Sequence, residues 1–195
     1  MKNKYPLILL FSYIIFWVLS AINPLYRRVW FAENILSILL ILTLVFTYRK
    51  YRFSNISYTL MFVFMILHMV GAHYSYSEVP LFDFVKDSWG LERNHYDRLV
   101  HFLFGILFYY PIFEISKQKF KIKGWLSYFI PFIVIVASKG IFEVLEVGYH
   151  YIEESKIITD NYLGMQGDPW DAQKDIFLGM LGALIGWIAT YNRNK

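Results

Sequence analysis

The sequence has no cysteine, which excludes disulfides and thiol chemistry outright. It is also poor in charge: Asp, Glu, Lys and Arg make up 17% of the 195 residues, against 57% hydrophobic and 21% aromatic. A soluble domain of this size could not hide so much apolar surface, because small domains leave a large share of theirs in contact with solvent. Lipid is the alternative solvent, and a spanning helix needs about 20 mostly apolar residues. Six such helices take roughly 120 residues, which leaves short loops and no space for a soluble catalytic domain. The net charge of +4 is accordingly no nucleic-acid signal. In a membrane protein the distribution of charge between the two faces carries the information. There is no internal repeat or low-complexity stretch.

Apolar runs fall at about 5–22, 29–47, 57–76, 97–115, 125–150 and 171–191. They predict one all-α membrane domain over residues 1–195, a bundle of six transmembrane helices. The first run follows Lys2 and Lys4 as a signal peptide would. It exceeds an ordinary signal core and no small-x-small cleavage site follows, so it reads as a retained span. The fifth is longer than the bilayer needs and should tilt, or project past the surface near Glu146–Tyr151. Between the third and fourth runs, Pro80 is followed by Leu81, Phe82, Val85 and Trp89 at helical spacing, with Asp83, Lys86 and Asp87 opposite. That pattern suits a short interfacial helix.

Counting Lys and Arg orients the chain. One face carries Lys2, Lys4, Arg49, Lys50, Arg52, Lys117, Lys119, Lys121, Lys123, Arg193 and Lys195, eleven in all. The other carries seven, Arg27, Arg28, Lys86, Arg93, Arg98, Lys156 and Lys174, while Lys139 lies inside the fifth span. The positive-inside rule predicts both termini and the lysine-rich 117–123 loop in the cytoplasm. Of the 15 acidic residues only Glu114 lies at the cytoplasmic end, where it and Lys117 are expected to snorkel to the interface.

Intramembrane ionisable residues are costly and are functional candidates by default. Glu33, His73, His101, Glu143, Glu146 and Asp175 all fall within roughly 6–11 Å of the outer helix ends, at 1.5 Å per residue. Lys139, Glu143, Glu146 and His150 share one helix face; Asp97, His101 and Gly105 share another. Asp168, Asp171, Asp175, Gly179, Gly182 and Gly186 form a third, whose small residues would let span six pack closely. Bland roles compete. Asn94–Asp97 and Asp168–Asp171 both look like helix starts, and capping alone would account for Asp97, Asp168 and Asp171. His68 suits a hydrogen-bonded packing residue, and Glu33 a partner for Arg27 or Arg28. Glu143 and Glu146 resist such roles: two carboxylates three residues apart near a helix C-terminus need a cation, a shared proton or a counter-ion such as Lys139 or Arg98. A divalent metal would meet the need, with His73, His101, Glu143, Glu146 and Asp171 as candidate ligands. The candidate acid–base residues are His101, Glu143, Glu146 and Asp175.

Two stretches carry a family resemblance: Gly71–Pro80 continuing through Leu91–Phe102, and Phe142–Glu146 together with Tyr162–Asp175. Over roughly residues 57–190 the chain resembles the YjdF family of bacterial inner-membrane proteins, which have no established reaction. The resemblance implies shared positions at His73, Glu78, Pro80, Arg93, Asp97, Arg98, His101, Glu143, Glu146, Gly167, Asp168, Asp171 and Asp175. Arg93, Asp97, Arg98, Gln166 and Asp168 are the substrate-contacting or structural candidates. Phe104 stands where glutamine is usual, and Lys139 and His150 where small or apolar residues are expected, which puts those two outside the shared machinery. A weaker likeness to the VanZ family rests on Asp97-x-x-x-His101-Phe102 and the Asp171–Asp175 stripe with Gly182 and Gly186. It points towards the cell envelope. Three functions fit these residues: an enzyme or binding site for an envelope lipid or lipid-linked substrate, a proton- or ion-coupled transporter, and a non-catalytic scaffold with structural ion pairs. Membrane lipids are the implied partners and nucleic acid is not.

Overall fold

The computed structural model describes residues 4–152 and 164–193, and all their regular structure is helical. The helices are α1 (Tyr5–Ser20), α2 (Arg27–Thr47), α3 (Asn55–Tyr74), α4 (Pro80–Trp89), α5 (Tyr96–Gln118), α6 (Leu126–Ile152) and α7 (Asp171–Arg193). The side chain of His150, the start of the Tyr162–Asp175 stretch, and Lys2, Lys156 and Lys195 lie outside the described residues.

Five helices, α2, α3, α5, α6 and α7, are long and apolar enough to cross a membrane; α1 is apolar but shorter. Its 16 residues span about 24 Å, less than the roughly 30 Å hydrocarbon core. The apolar run continues through Ile22, but the helix does not: Asn23 takes φ 50° and Pro24 follows. At 27 residues α6 is the longest helix, about 40 Å, which matches the expected overlong fifth span. Phe11, Ile15 and Phe46 point outward at 65%, 61% and 75% exposure, as lipid-facing side chains do.

Helix α5 is central, packing on α3, α6 and α7, with α1 and α2 set against α3. The α5–α7 contact is the closest because glycines line it. A methyl group on Gly105 would overlap the Gly179 carbonyl, and one on Gly182 would overlap the Phe102 carbonyl. The small-residue stripe predicted for the last span is therefore the packing seam, with backbone against backbone.

At the Lys117 end, Glu114 corrects the snorkelling expectation. It is 3% exposed and accepts from the Ser54 N–H at 2.7 Å, from Ser54 Oγ at 2.8 Å and from Ser57 Oγ. Ser54 caps α3 by accepting from the Ser57 N–H, so a carboxylate from α5 completes that cap. Helix α4 forms as expected, led by Pro80 and closed by Gly90 at φ 64°. Its facing differs: Phe82 packs on the Tyr76–Val79–Tyr96–Val100 core, while Leu81, Phe84 and Trp89 are exposed.

Candidate functional site

At the end of the bundle that carries residues 93–98 and 164–171, ionisable side chains form two tiers. The upper tier joins the segment before α5 to the start of α7. Arg93 bonds the Asp171 carboxylate and donates from Nη2 to the Gly164 carbonyl at 3.1 Å. Arg98 bonds Asp168 and lies 3.4 Å from Asp171, and Lys174 Nζ lies 2.6 Å from Asp168. Lys174 first, then the Trp170 N–H and Arg98, holds the Asp168 carboxyl below the ordinary aspartate value. This tie is complete above the ordinary aspartate pKa and lost as pH falls through the depressed one.

Gln166 locks the same junction. Its Oε1 accepts from the Asn94 N–H at 2.8 Å, and its Nε2 donates to the Asn94 carbonyl at 3.0 Å. Asn94, fully buried, also donates to the Val79 carbonyl and to Asp83 Oδ1, both at 3.1 Å, which ties α4 to the junction. The capping expectation is met in part. Asp168 accepts from the Trp170 N–H, whereas Asp97 turns inward and Asp171 pairs with Arg93.

The lower tier centres on His101, 6% exposed. Asp97 Oδ1 lies 3.1 Å from His101 Nε2, one turn apart on α5. On the opposite side of the ring, Nδ1 faces Glu143 Oε1 of α6 at 3.6 Å and Asp175 Oδ1 of α7 at 3.7 Å. Lys139 Nζ lies 2.9 Å from Glu143 Oε1, 3.4 Å from His101 Nε2 and 4.7 Å from the centre of the Phe142 ring. Arg93 stands 4.0 Å from Asp97 and links the tiers.

The chemistry of the lower tier turns on the imidazole. With Nε2–H directed at Asp97, Nδ1 presents a lone pair to each of two carboxylate oxygens, acceptor facing acceptor. With both nitrogens protonated, Nδ1 would face the same oxygens across distances beyond hydrogen-bond range. In either state His101 Nδ1 and Asp175 Oδ1 are buried with no hydrogen-bond partner among the described residues, while Glu143 Oε1 has the Lys139 ammonium at 2.9 Å. Three carboxylates surround the ring, with the Lys139 ammonium at Glu143 and the Arg93 guanidinium 4.0 Å from Asp97. Asp97, His101 and Asp175 each offer one ligand atom within 4.8 Å of the others.

The remaining candidates are placed elsewhere. His73 Nδ1 lies 2.9 Å from the Ser20 carbonyl, at the α1 side. Glu146, half-buried one turn beyond Glu143, is outside the described partners of His101. Glu33 is buried beneath His68, whose Nε2 contacts its carbonyl at 3.1 Å and whose Nδ1 contacts the Tyr76 hydroxyl. Arg27 donates to the Ala21 carbonyl at 2.5 Å and does not pair with Glu33. Lys139, which the resemblance places outside the shared machinery, sits 4% exposed in the middle of the lower tier.

The model of the predicted membrane protein family DUF2238 matches residues 5–195, essentially the whole chain. The chain belongs to the DUF2238 family. A relative, the inner membrane protein YjdF of Escherichia coli strain K12, is 33% identical over 159 residues, covering 81% of this chain and 75% of its own. No solved structure matches. This DUF2238 membrane protein is thus all-helical over its described residues, and its resemblance to the YjdF family is a true relationship.

Proposed function

We propose that this DUF2238 protein is a six-span inner-membrane protein whose two-tier cluster faces outward, holds a divalent cation and acts on an envelope lipid or lipid-linked substrate. The carrying observation is that two buried atoms without hydrogen-bond partners among the described residues, His101 Nδ1 and Asp175 Oδ1, face each other at 3.7 Å, with the Lys139-paired Glu143 Oε1 3.6 Å from the same ring nitrogen. Ligand atoms about 2.0–2.2 Å from a tetrahedral cation stand roughly 3.4 Å apart. Separations of 3.6 and 3.7 Å are close to that and too long for direct hydrogen bonds. Asp97 on the opposite ring nitrogen is the carboxylate partner that fixes a ligating histidine's tautomer. Such a cation would supply Lewis acidity, with Lys139 and the Arg93–Arg98 pair positioned for an anionic group. A conduction path is disfavoured, since Glu114 at the opposite end is committed to Ser54 and Ser57.

Elemental analysis of detergent-purified protein tests the centre. About one equivalent of divalent metal is expected, lost in His101→Ala and Asp175→Asn but kept in His73→Ala. Metal-free wild-type protein, or a content these substitutions leave unchanged, would favour the scaffold instead.

The orientation rests on the lysine excess at the Lys117 end, and α4, with Leu81, Phe84 and Trp89 exposed, would lie in the outer interface. Because the chain has no cysteine, Ser77→Cys in intact spheroplasts is expected to react with a membrane-impermeant maleimide. Reaction only after lysis would reverse the topology.

A further inference from the structure

A cavity of about 330 Å³ lies between α2, α3, α5 and α6, within the size range of small-molecule sites. Its rim and its floor differ in kind. The rim is formed by Leu36, Ile141 and Leu145, which are 42%, 62% and 50% exposed on the lipid-facing surface. The floor reaches His101 and Lys139, 6% and 4% exposed, together with His68 and Tyr76. The cleft therefore opens sideways, from the hydrocarbon face of the bundle into the lower tier. Phe104 and Phe108 carry its apolar wall three and seven residues along α5 from His101, about 10 Å deeper into the bundle.

We infer that this cleft takes the hydrocarbon chain of a lipid phosphate, whose headgroup is held at Lys139 and the His101 centre. The geometry orders the two ends: the chain would run along Phe104 and Phe108 and the polar group would meet the only charged floor residue, Lys139. Lys139 has three N–H donors, one engaged by Glu143 at 2.9 Å and one facing His101 Nε2 at 3.4 Å, which leaves one for a phosphate oxygen. Three carboxylates beside it would repel an anion, so the phosphate assignment rests on the cation centre proposed above. With that cation in place, the cavity floor at His101 and Lys139 would carry two positive groups, which suits a phosphate and not a neutral headgroup.

Photolabelling in phosphatidylcholine liposomes tests this. The probe is phosphatidic acid with a diazirine on one acyl chain, and the control is the matching diacylglycerol. Phosphatidic acid adducts are expected in peptides containing Phe64 and Phe104–Phe108, several-fold above the diacylglycerol signal. Unlabelled phosphatidic acid should compete them away, and Lys139→Met should reduce them. Leu40→Trp, which fills the cleft without touching the charged tier, should also suppress them in protein that still elutes as a single species. Equal labelling by both probes, or adducts spread over outward residues such as Phe11 and Phe46, would overturn the inference. Metal content of the same preparation separates the two proposals. Metal-loaded protein that labels indiscriminately sinks the lipid-phosphate site alone, and metal-free protein that labels selectively sinks the cation centre alone.

Discussion

Gly182→Leu is expected to abolish the folded bundle, leaving protein that aggregates on extraction or melts far below wild type. Ordinary overpacking of a core costs about 1–3 kcal/mol because side chains can shift. Here the obstacle is the Phe102 carbonyl and the Ile106 nitrogen of α5, so relief requires the two helices to separate. Gly105→Leu attacks the seam from the other side, against the Gly179 carbonyl and the Ala183 nitrogen, and should have the same effect. Even alanine at either position should lower the melting temperature. Gly140 provides the contrast, with nothing within 4 Å of an added methyl group. Gly140→Ala should be neutral or stabilising by up to about 1 kcal/mol, since alanine is the better helix former. Thermal melts in one detergent, followed by size-exclusion fluorescence, would compare all five; a Gly182→Leu protein that melts like wild type would mean that α5 and α7 are not packed on these glycines.

The seam also governs the site. Asp171 and Asp175 lie on the face of α7 that continues through Gly179, Gly182 and Gly186, and all five are buried. Asp97 and His101 lie on the face of α5 that continues to Gly105. Close approach of the two backbones is what brings Asp175 within 3.7 Å of His101. A milder substitution such as Gly182→Ala should therefore loosen the lower tier before it unfolds the protein.

Helical periodicity makes this much legible in the sequence. The Lys139–Glu143 and Asp97–His101 pairs are four-residue spacings, and the acidic and small residues of α7 lie on one stripe, so each face was readable from the sequence. How the faces rotate against one another was not. His73 shares the depth of His101, yet its helix turns it to the Ser20 carbonyl. Glu114 looked like a surface carboxylate because it ends an apolar run, but the serines it serves are 57 and 60 residues away in sequence. The Gln166–Asn94 clasp joins two loops, which have no period to betray them. The first apolar run likewise overstates its helix, because hydropathy counts Ala21 and Ile22 but does not sense the turn at Asn23.

Lys139→Met is expected to cost about 3–5 kcal/mol in metal-free protein, because it leaves the buried Glu143 carboxylate without its ammonium. Glu143→Gln should cost a comparable amount by stranding Lys139. The double variant, Lys139→Met with Glu143→Gln, removes both charges and should recover most of the loss, a coupling that denaturation of the four proteins would measure directly. A bound divalent cation changes the balance. It would neutralise Glu143 from the His101 side, so excess zinc should restore much of the Lys139→Met stability and chelator should remove it again. Glu143→Gln has lost a ligand and should gain little from zinc. A closed ion-pair network predicts the same four-protein cycle with no dependence on zinc or chelator. The interaction between metal and the Lys139 substitution therefore distinguishes a cation centre from an internally neutralised salt-bridge core, and it does so without any assumption about substrate.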